Sequence, residues 1–300
     1  MGNIAAVITA FCWSITSILF SITSKQVGAL AVNRLRLLFA SILLLATHLI
    51  VQGQLIPLNF NLDRWIWLGL SGIIGLTLGD AFLFQAYVMI GPRLSTVMMA
   101  LSPVASAILA WLVLGERLNL VEMAGIAVTV AGVTWVVLEE QADNGVVHTQ
   151  HTRRQYLLGL LCGVGAVLGQ SFGLILSKRG LQGSVSPLSG VVIRIIVAAV
   201  AMWLYTLIRG QIGPTLAVFR RTKTTGIIVT GSVIGPFIGV WLSLVSIQLI
   251  PVGIASTLQS LSPIFVLPMT AIFFKEKITS RAILGTLGAL AGVALLSLAG

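Results

Sequence analysis

Apolar residues occur in this chain as long unbroken runs, not at alternate positions or along one face of a helix. Runs of about 20 residues, the length a helix needs to cross a hydrocarbon core of roughly 30 Å, fall near 4–24, 29–51, 66–89, 94–114, 119–138, 156–177, 186–208, 225–247, 252–274 and 279–299. Charges and turn residues separate them. Runs so uniformly apolar suit helices, which pair every backbone group internally, and not barrel strands, which alternate in polarity. The pattern predicts an all-α integral membrane protein with ten transmembrane helices.

Composition points the same way. Of 300 residues 57% are hydrophobic and 9% charged, and the mean hydropathy is +1.04, which excludes an ordinary soluble domain of about a quarter charged residues. The first run lacks a basic leader and a clear cleavage site, and nine similar runs follow, so it reads as a retained helix and not a secretory signal. The net charge of +10 would suggest nucleic acid in a soluble protein. Here Lys and Arg sit in short loops and at span ends, where anionic headgroups attract them. The expected partners are therefore the lipid bilayer and a small-molecule substrate, with no nucleic acid, and a monomer suffices. Cys12 and Cys162 lie inside runs as apolar fillers, and no metal or other cofactor is expected.

One sustained polar stretch, "EEQADNGVVHTQHTRRQ" from Glu139 to Gln155, divides five runs from five. The chain thus reads as a first unit 1–138, a linker 139–155 and a second unit 156–300. At an offset of 160 the units align without a gap over Gly75 with Gly235, Gly79 with Gly239, Leu101-Ser102-Pro103 with Leu261-Ser262-Pro263, Glu116 with Glu276, and Ala131-Gly132-Val133 with Ala291-Gly292-Val293. Earlier in each unit the match is looser: Ser24-Lys25 resembles Ser177-Lys178, and Arg36 precedes Gly53-Gln54 as Arg194 precedes Gly210-Gln211. This is an internal duplication. Five is odd, so the second copy crosses in the opposite sense, and two inverted five-helix repeats are an architecture of secondary transporters.

These residues also resemble a known family. Ten spans in two similar halves, Trp13 in the first span, Pro103 and Pro263 in the fourth and ninth, and the phrases Gly115-Glu116-Arg117 and Lys275-Glu276-Lys277 together resemble the EamA-type branch of the drug/metabolite transporter superfamily, over essentially the whole chain. The resemblance implies export or exchange of small metabolites such as amino acids, by alternating access through a central cavity lined by both halves. It does not imply one substrate. The expected location is a bacterial inner membrane.

Within the spans, Asp80 is the one deep acidic residue, in "LTLGDAFLFQAY". Tyr87 falls roughly on its helix face and Gln85 does not. Three roles are open to Asp80: binding a substrate ammonium, carrying a proton in exchange, or pairing with Arg36 or Arg194. Arg34, Arg36 and Arg194 lie within about two turns of span ends, where such side chains either snorkel to the interface or turn inward; Arg36 or Arg194 turned inward would hold a substrate carboxylate. With Asp80 this suits a zwitterion. Gln170, Trp241, Gln248 and Gln259 are polar or amphipathic residues of the second unit's spans, and Trp13 with Trp241 could close an aromatic wall. Pro103 and Pro263 predict kinks that free the carbonyls of Met99 and Gln259, with Ser102 and Ser262 placed to satisfy them or to face a cavity. Pro236 breaks the eighth span, whereas its counterpart is Leu76. The glycines Gly75/Gly79, Gly235/Gly239 and Gly165/Gly169/Gly173 predict close helix packing.

An intramembrane enzyme and a channel are the alternatives. "LTLGD" resembles the Gly-x-Gly-Asp of intramembrane aspartyl proteases, but Thr77 takes the first glycine's place and no second buried aspartate follows. His48 lies near a span end, and His148 and His151 lie in the linker, without a metal motif. Membrane orientation divides the readings: Lys and Arg in loops favour an outside N-terminus, and the resemblance implies cytoplasmic termini.

Overall fold

A computed structural model of the chain describes residues 1–114, 120–121, 123–125, 127–132, 134–135, 153–183, 185–274 and 279–299. Glu116, Arg117, Lys275, Glu276, Lys277, His148, His151 and most of the linker 139–155 lie outside the described residues. Every regular element among the described residues is helical. Among the described residues, seven helical stretches are long and apolar enough to cross a membrane: Gly2–Val27, Ala29–Gln52, Leu62–Met99, Arg153–Gly180, Pro187–Ile208, Thr222–Leu249 and Val252–Phe274. Shorter apolar helices lie at Met123–Gly132 and Ser280–Leu295. This is an all-helical membrane protein.

In chain order the helices are α1 (Gly2–Val27), α2 (Ala29–Gln52), α3 (Leu62–Ser71), α4 (Asp80–Met99), α5 (Ser102–Leu114), α6 (Arg153–Gly180), α7 (Pro187–Ile208), α8 (Ile212–Leu216), α9 (Thr222–Ser232), α10 (Val240–Leu249), α11 (Val252–Gln259), α12 (Ser262–Phe274) and α13 (Ser280–Ala299). Local chemistry sets several ends. Asn61 caps α3 by accepting the Arg64 N–H, and Gly53 ends α2 in the left-handed conformation that glycine adopts without steric cost. Gly91, at φ 77°, interrupts α4, so Leu62–Met99 is a span followed by the start of the next.

Two π-helical segments break the α pattern, Gly72–Gly79 between α3 and α4 and Val233–Gly239 between α9 and α10. They occupy equivalent positions of the duplicated sequence. Pro236 against Leu76 predicts a break in the second unit alone, but both segments shift to the wider turn, and both carry the paired glycines that permit close neighbours. Wider turns leave carbonyls to be satisfied from outside. In the first segment Gln170 donates to Gly75 O, Asn33 to Leu76 O and Thr77 O, and Arg36 to Leu76 O.

The expected proline kinks are full breaks. The helix stops at Met99 and restarts at Ser102, and the same happens at Gln259 and Ser262. Pro103 and Pro263 thus stand in the first turn of a new helix, where a missing N–H costs nothing. The Ser262 hydroxyl donates to the freed Gln259 carbonyl at 3.1 Å.

Helix α1 packs against α10, α11, α12 and the second π segment, while α6 packs against α3, α4, α5 and the first π segment. The units are thus interlocked through their first helices. A Cβ on Gly169 would come 2.7 Å from Gly79 Cα, and one on Gly173 3.0 Å from Gly75 Cα. On the other side Cys12 abuts Gly239 and Thr16 abuts Gly235. At the far end, a Cβ on Gly132 would meet Ala289 N at 2.4 Å and one on Gly292 would meet Thr129 N at 2.4 Å. As one helix advances from 129 to 132 its partner retreats from 292 to 289, so these two helices run antiparallel.

Candidate functional site

Among the described residues these interlocks leave a hollow between the units, mostly apolar in surface but set with charged and polar side chains, with about 1090 Å³ of space outside atoms, its open mouth included. Trp13, Phe20, Arg36, Asp80, Tyr87 and Met99 line it from the first unit, and Gln170, Arg194, Pro236, Val240, Ser243 and Gln259 from the second.

Asp80 opens α4 directly after the first π segment and is 5% exposed. Its Oδ2 pairs with the Arg36 guanidinium, and its Oδ1 accepts from Gln170 Nε2 at 2.5 Å. Of the three roles open to it from sequence, the geometry displays the ion pair with Arg36. Arg36 is held in turn by Asn33, whose Oδ1 accepts from Nε at 2.9 Å, and its guanidinium lies 4.9 Å from the Phe84 ring centre. Phe20 and Phe84 lie 5.1 Å apart, and Phe84 stacks on Tyr87 at 5.8 Å. The charge pair is thereby backed by an aromatic wall, which removes water and strengthens the pairing.

Arg194 differs. It is 4% exposed, its Nε is buried without a partner, and among the described residues it makes no direct ion pair, although Asp80 lies within electrostatic reach of it. A Cβ on Gly72 would lie 2.2 Å from the Arg194 carbonyl, so α7 rests on the first π segment only because position 72 lacks a side chain. Neither Arg36 nor Arg194 snorkels to an interface. Arg34 is also buried, donating to Thr215 and Gln211, which ties α2 to the short helix α8.

Other predicted residues divide. Trp13, Gln170, Gln259, Tyr87, Ser102, Ser262, Pro236 and Pro263 line the cavity with Asp80, Arg36 and Arg194. Gln85 is half-buried and Pro103 buried, but neither reaches the hollow. Trp241 instead packs on Phe237, 6.2 Å between rings, at the edge of the large apolar core, so the aromatic wall is completed by Phe20, Phe84 and Tyr87. Gln259 is held by Ser243 and Ser246, and Gln248 donates to Val185 O at 2.6 Å.

Sequence reading missed Asn33 and a set of small hydroxyl residues, Thr96, Ser106, Ser171, Ser243, Ser256 and Ser260, all but Asn33 on the cavity wall. Two signals were present: Ser102/Ser106 and Ser256/Ser260 lie four residues apart, and Thr96 stands 160 before Ser256. The Ser102 and Ser106 hydroxyls are buried without partners. Among the described residues no cluster of three His, Cys, Asp or Glu side chains could hold a metal.

Fold and site together define a multi-pass helical membrane protein with a cavity carrying buried charges at the junction of its two similar halves. The EamA-like transporter family matches residues 1–138 and 157–298, and the chain belongs to that family, within the drug/metabolite transporter superfamily. No curated protein matches the chain. A solved structure, described as "Crystal structure of protein", is similar at a TM-score of 0.69 and 16% identity, covering 99% of this chain and 96% of its own; that likeness shows a shared fold.

Proposed function

We propose that this chain is an alternating-access carrier of ten transmembrane helices in two inverted five-helix repeats, 1–138 and 156–300, joined by the linker 139–155. It exports or exchanges a small polar, amino-acid-like metabolite across a bacterial inner membrane. The observation that carries this reading is a hollow walled by both halves, largely apolar but with Arg36, Asp80 and Arg194 on its surface. Inversion draws support from the antiparallel contact of equivalent positions, Gly132 with Ala289 and Thr129 with Gly292. Asp80 is the only acidic side chain on the cavity wall among the described residues, which makes it the group to couple transport to protons. An enzyme would need a second reactive group beside it.

Counterflow tests the proposal. Proteoliposomes preloaded with an unlabelled amino-acid mixture should take up the labelled mixture faster than unloaded ones. A channel gives no acceleration. Equal rates in loaded and empty vesicles would remove amino acids as the substrate class.

A further inference from the structure

The two buried arginines occupy similar places in the duplicated sequence, but only Arg36 makes a direct ion pair, and Asp80 reaches Arg194 only through space. Arg36 lies in the second span of its unit and pairs with Asp80 of the third. Arg194 lies in the second span of the other unit, and the position equivalent to Asp80 there is Val240, which also lines the cavity. The second unit thus carries the cation without the carboxylate that stands beside it in the first. What remains is a buried guanidinium with an unpartnered Nε, opening on a hollow that also holds the unpartnered Ser102 and Ser106 hydroxyls.

We infer that Arg194 is the subsite for an acidic group of the substrate, a carboxylate taking the place that position 240 leaves vacant. The inference rests on the carrier reading above and specifies its ligand. Asp80 is paired directly with Arg36 and also faces Arg194 through space, so the two arginines and one carboxylate leave one net positive charge, which matches a single carboxylate better than a phosphate dianion. An ammonium group finds less, since both Asp80 oxygens are already engaged by Arg36 and Gln170. The carboxylate half of a zwitterion thus anchors it, and the remainder of the molecule faces Trp13, Phe20, Phe84 and Tyr87.

The same geometry sets the mode of transport. Sealing the cavity around an arginine whose one nearby carboxylate is already taken by Arg36 removes water from a charge with little to replace it. An acid group on Arg194 supplies the replacement, so the loaded carrier occludes readily and the empty one does not. Exchange is therefore the fast mode, and net flux the slow one.

Thermal unfolding of the purified protein in detergent, with three acid–amide pairs as probes, tests the subsite: propionate and propionamide, alanine and alaninamide, phenylalanine and phenylalaninamide. In at least one pair the acid should raise the melting temperature at a concentration at least about tenfold below its amide, as expected for a charge-assisted bond. Arg194→Gln should erase that preference and Arg194→Lys should keep part of it. Val240→Asp supplies an internal counter-ion, so it should keep or raise the melting temperature while abolishing the response to acids, and it decides the matter if Arg194→Gln does not fold. Equal response to acids and amides, no response to any probe, or a full acid preference in Val240→Asp would overturn the subsite. Accelerated counterflow persisting alongside such a failure would leave the carrier intact; an acid preference without counterflow would remove the carrier instead.

Discussion

The Ser171 hydroxyl donates to the Ser102 carbonyl at 3.0 Å. This bond has a twin across the molecule, where Ser14 donates to the Ser262 carbonyl, also at 3.0 Å. In each case the first helix of one unit holds the restart of the broken helix of the other. Beyond the shared bond the two sides differ: the Ser262 hydroxyl is committed to Ala10 O and Gln259 O, while the Ser102 hydroxyl has no partner. Both latches are thus closed, and the asymmetry lies in the one hydroxyl beside them that has no partner.

Ser171→Ala and Ser14→Ala should each cost about 1 kcal/mol, the net worth of one hydrogen bond. They should bias the cycle in opposite directions. A cysteine placed at Ser106, in a background without Cys12 and Cys162, reports this through its labelling by a membrane-impermeant maleimide, which should rise from one face with one substitution and from the other face with its twin.

Asp80→Asn leaves the buried Arg36 without its counter-ion. Breaking one side of such a pair costs about 3–5 kcal/mol, visible as a lower melting temperature. Arg36→Gln combined with Asp80→Asn should recover much of that loss, because no charge then stays unpaired. Counterflow that is unchanged in rate and in pH dependence after Asp80→Asn would exclude Asp80 as the proton-coupling group.

Glycine contacts between helices leave no room for growth. Gly72→Ala, whose new methyl would meet the Arg194 carbonyl, should destabilise the protein by about 1–3 kcal/mol and weaken ligand response by displacing Arg194. Gly226→Ala, in the exposed part of α9 with nothing within 4 Å, should be neutral or stabilising by up to about 1 kcal/mol. The two melting temperatures test this contrast directly.

Two tryptophans separate wall from core. Trp13→Ala should lower counterflow at least about tenfold by removing an aromatic face from the ligand, while Trp241→Phe, which keeps the packing on Phe237, should stay within about twofold of wild type.

Much of this was legible in the sequence, for identifiable reasons. Membrane helices are long apolar runs, so their existence follows from composition alone, and the 160-residue offset gave the positions where both π segments and both breaks fall. Asp80, Arg36 and Arg194 stood out because charge within an apolar run is costly. The hydroxyl lining did not, because serine is common in such helices and four-residue spacing is weak evidence. Gln85, already off the Asp80 face by its spacing, does not reach the hollow, while Trp241 sits in a wall-forming span but helix rotation turns it onto Phe237. The register of the first and sixth helices was also hidden. Ser24-Lys25 against Ser177-Lys178 implies an offset of 153, whereas packing on the glycines pairs Cys12 with Gly169 and Thr16 with Gly173, an offset of 157 that also pairs Trp13 with Gln170 and Ser14 with Ser171. Only the contacts fix it, since helix ends differ in length between the units.

The most direct test of alternating access needs no knowledge of the substrate. The Ser106→Cys protein, lacking Cys12 and Cys162, is sealed into right-side-out and inside-out vesicles and exposed to an impermeant maleimide. The account predicts labelling from both faces, as the cavity opens to each in turn. Labelling from one face alone, at any temperature or time that leaves the vesicles sealed, would contradict it.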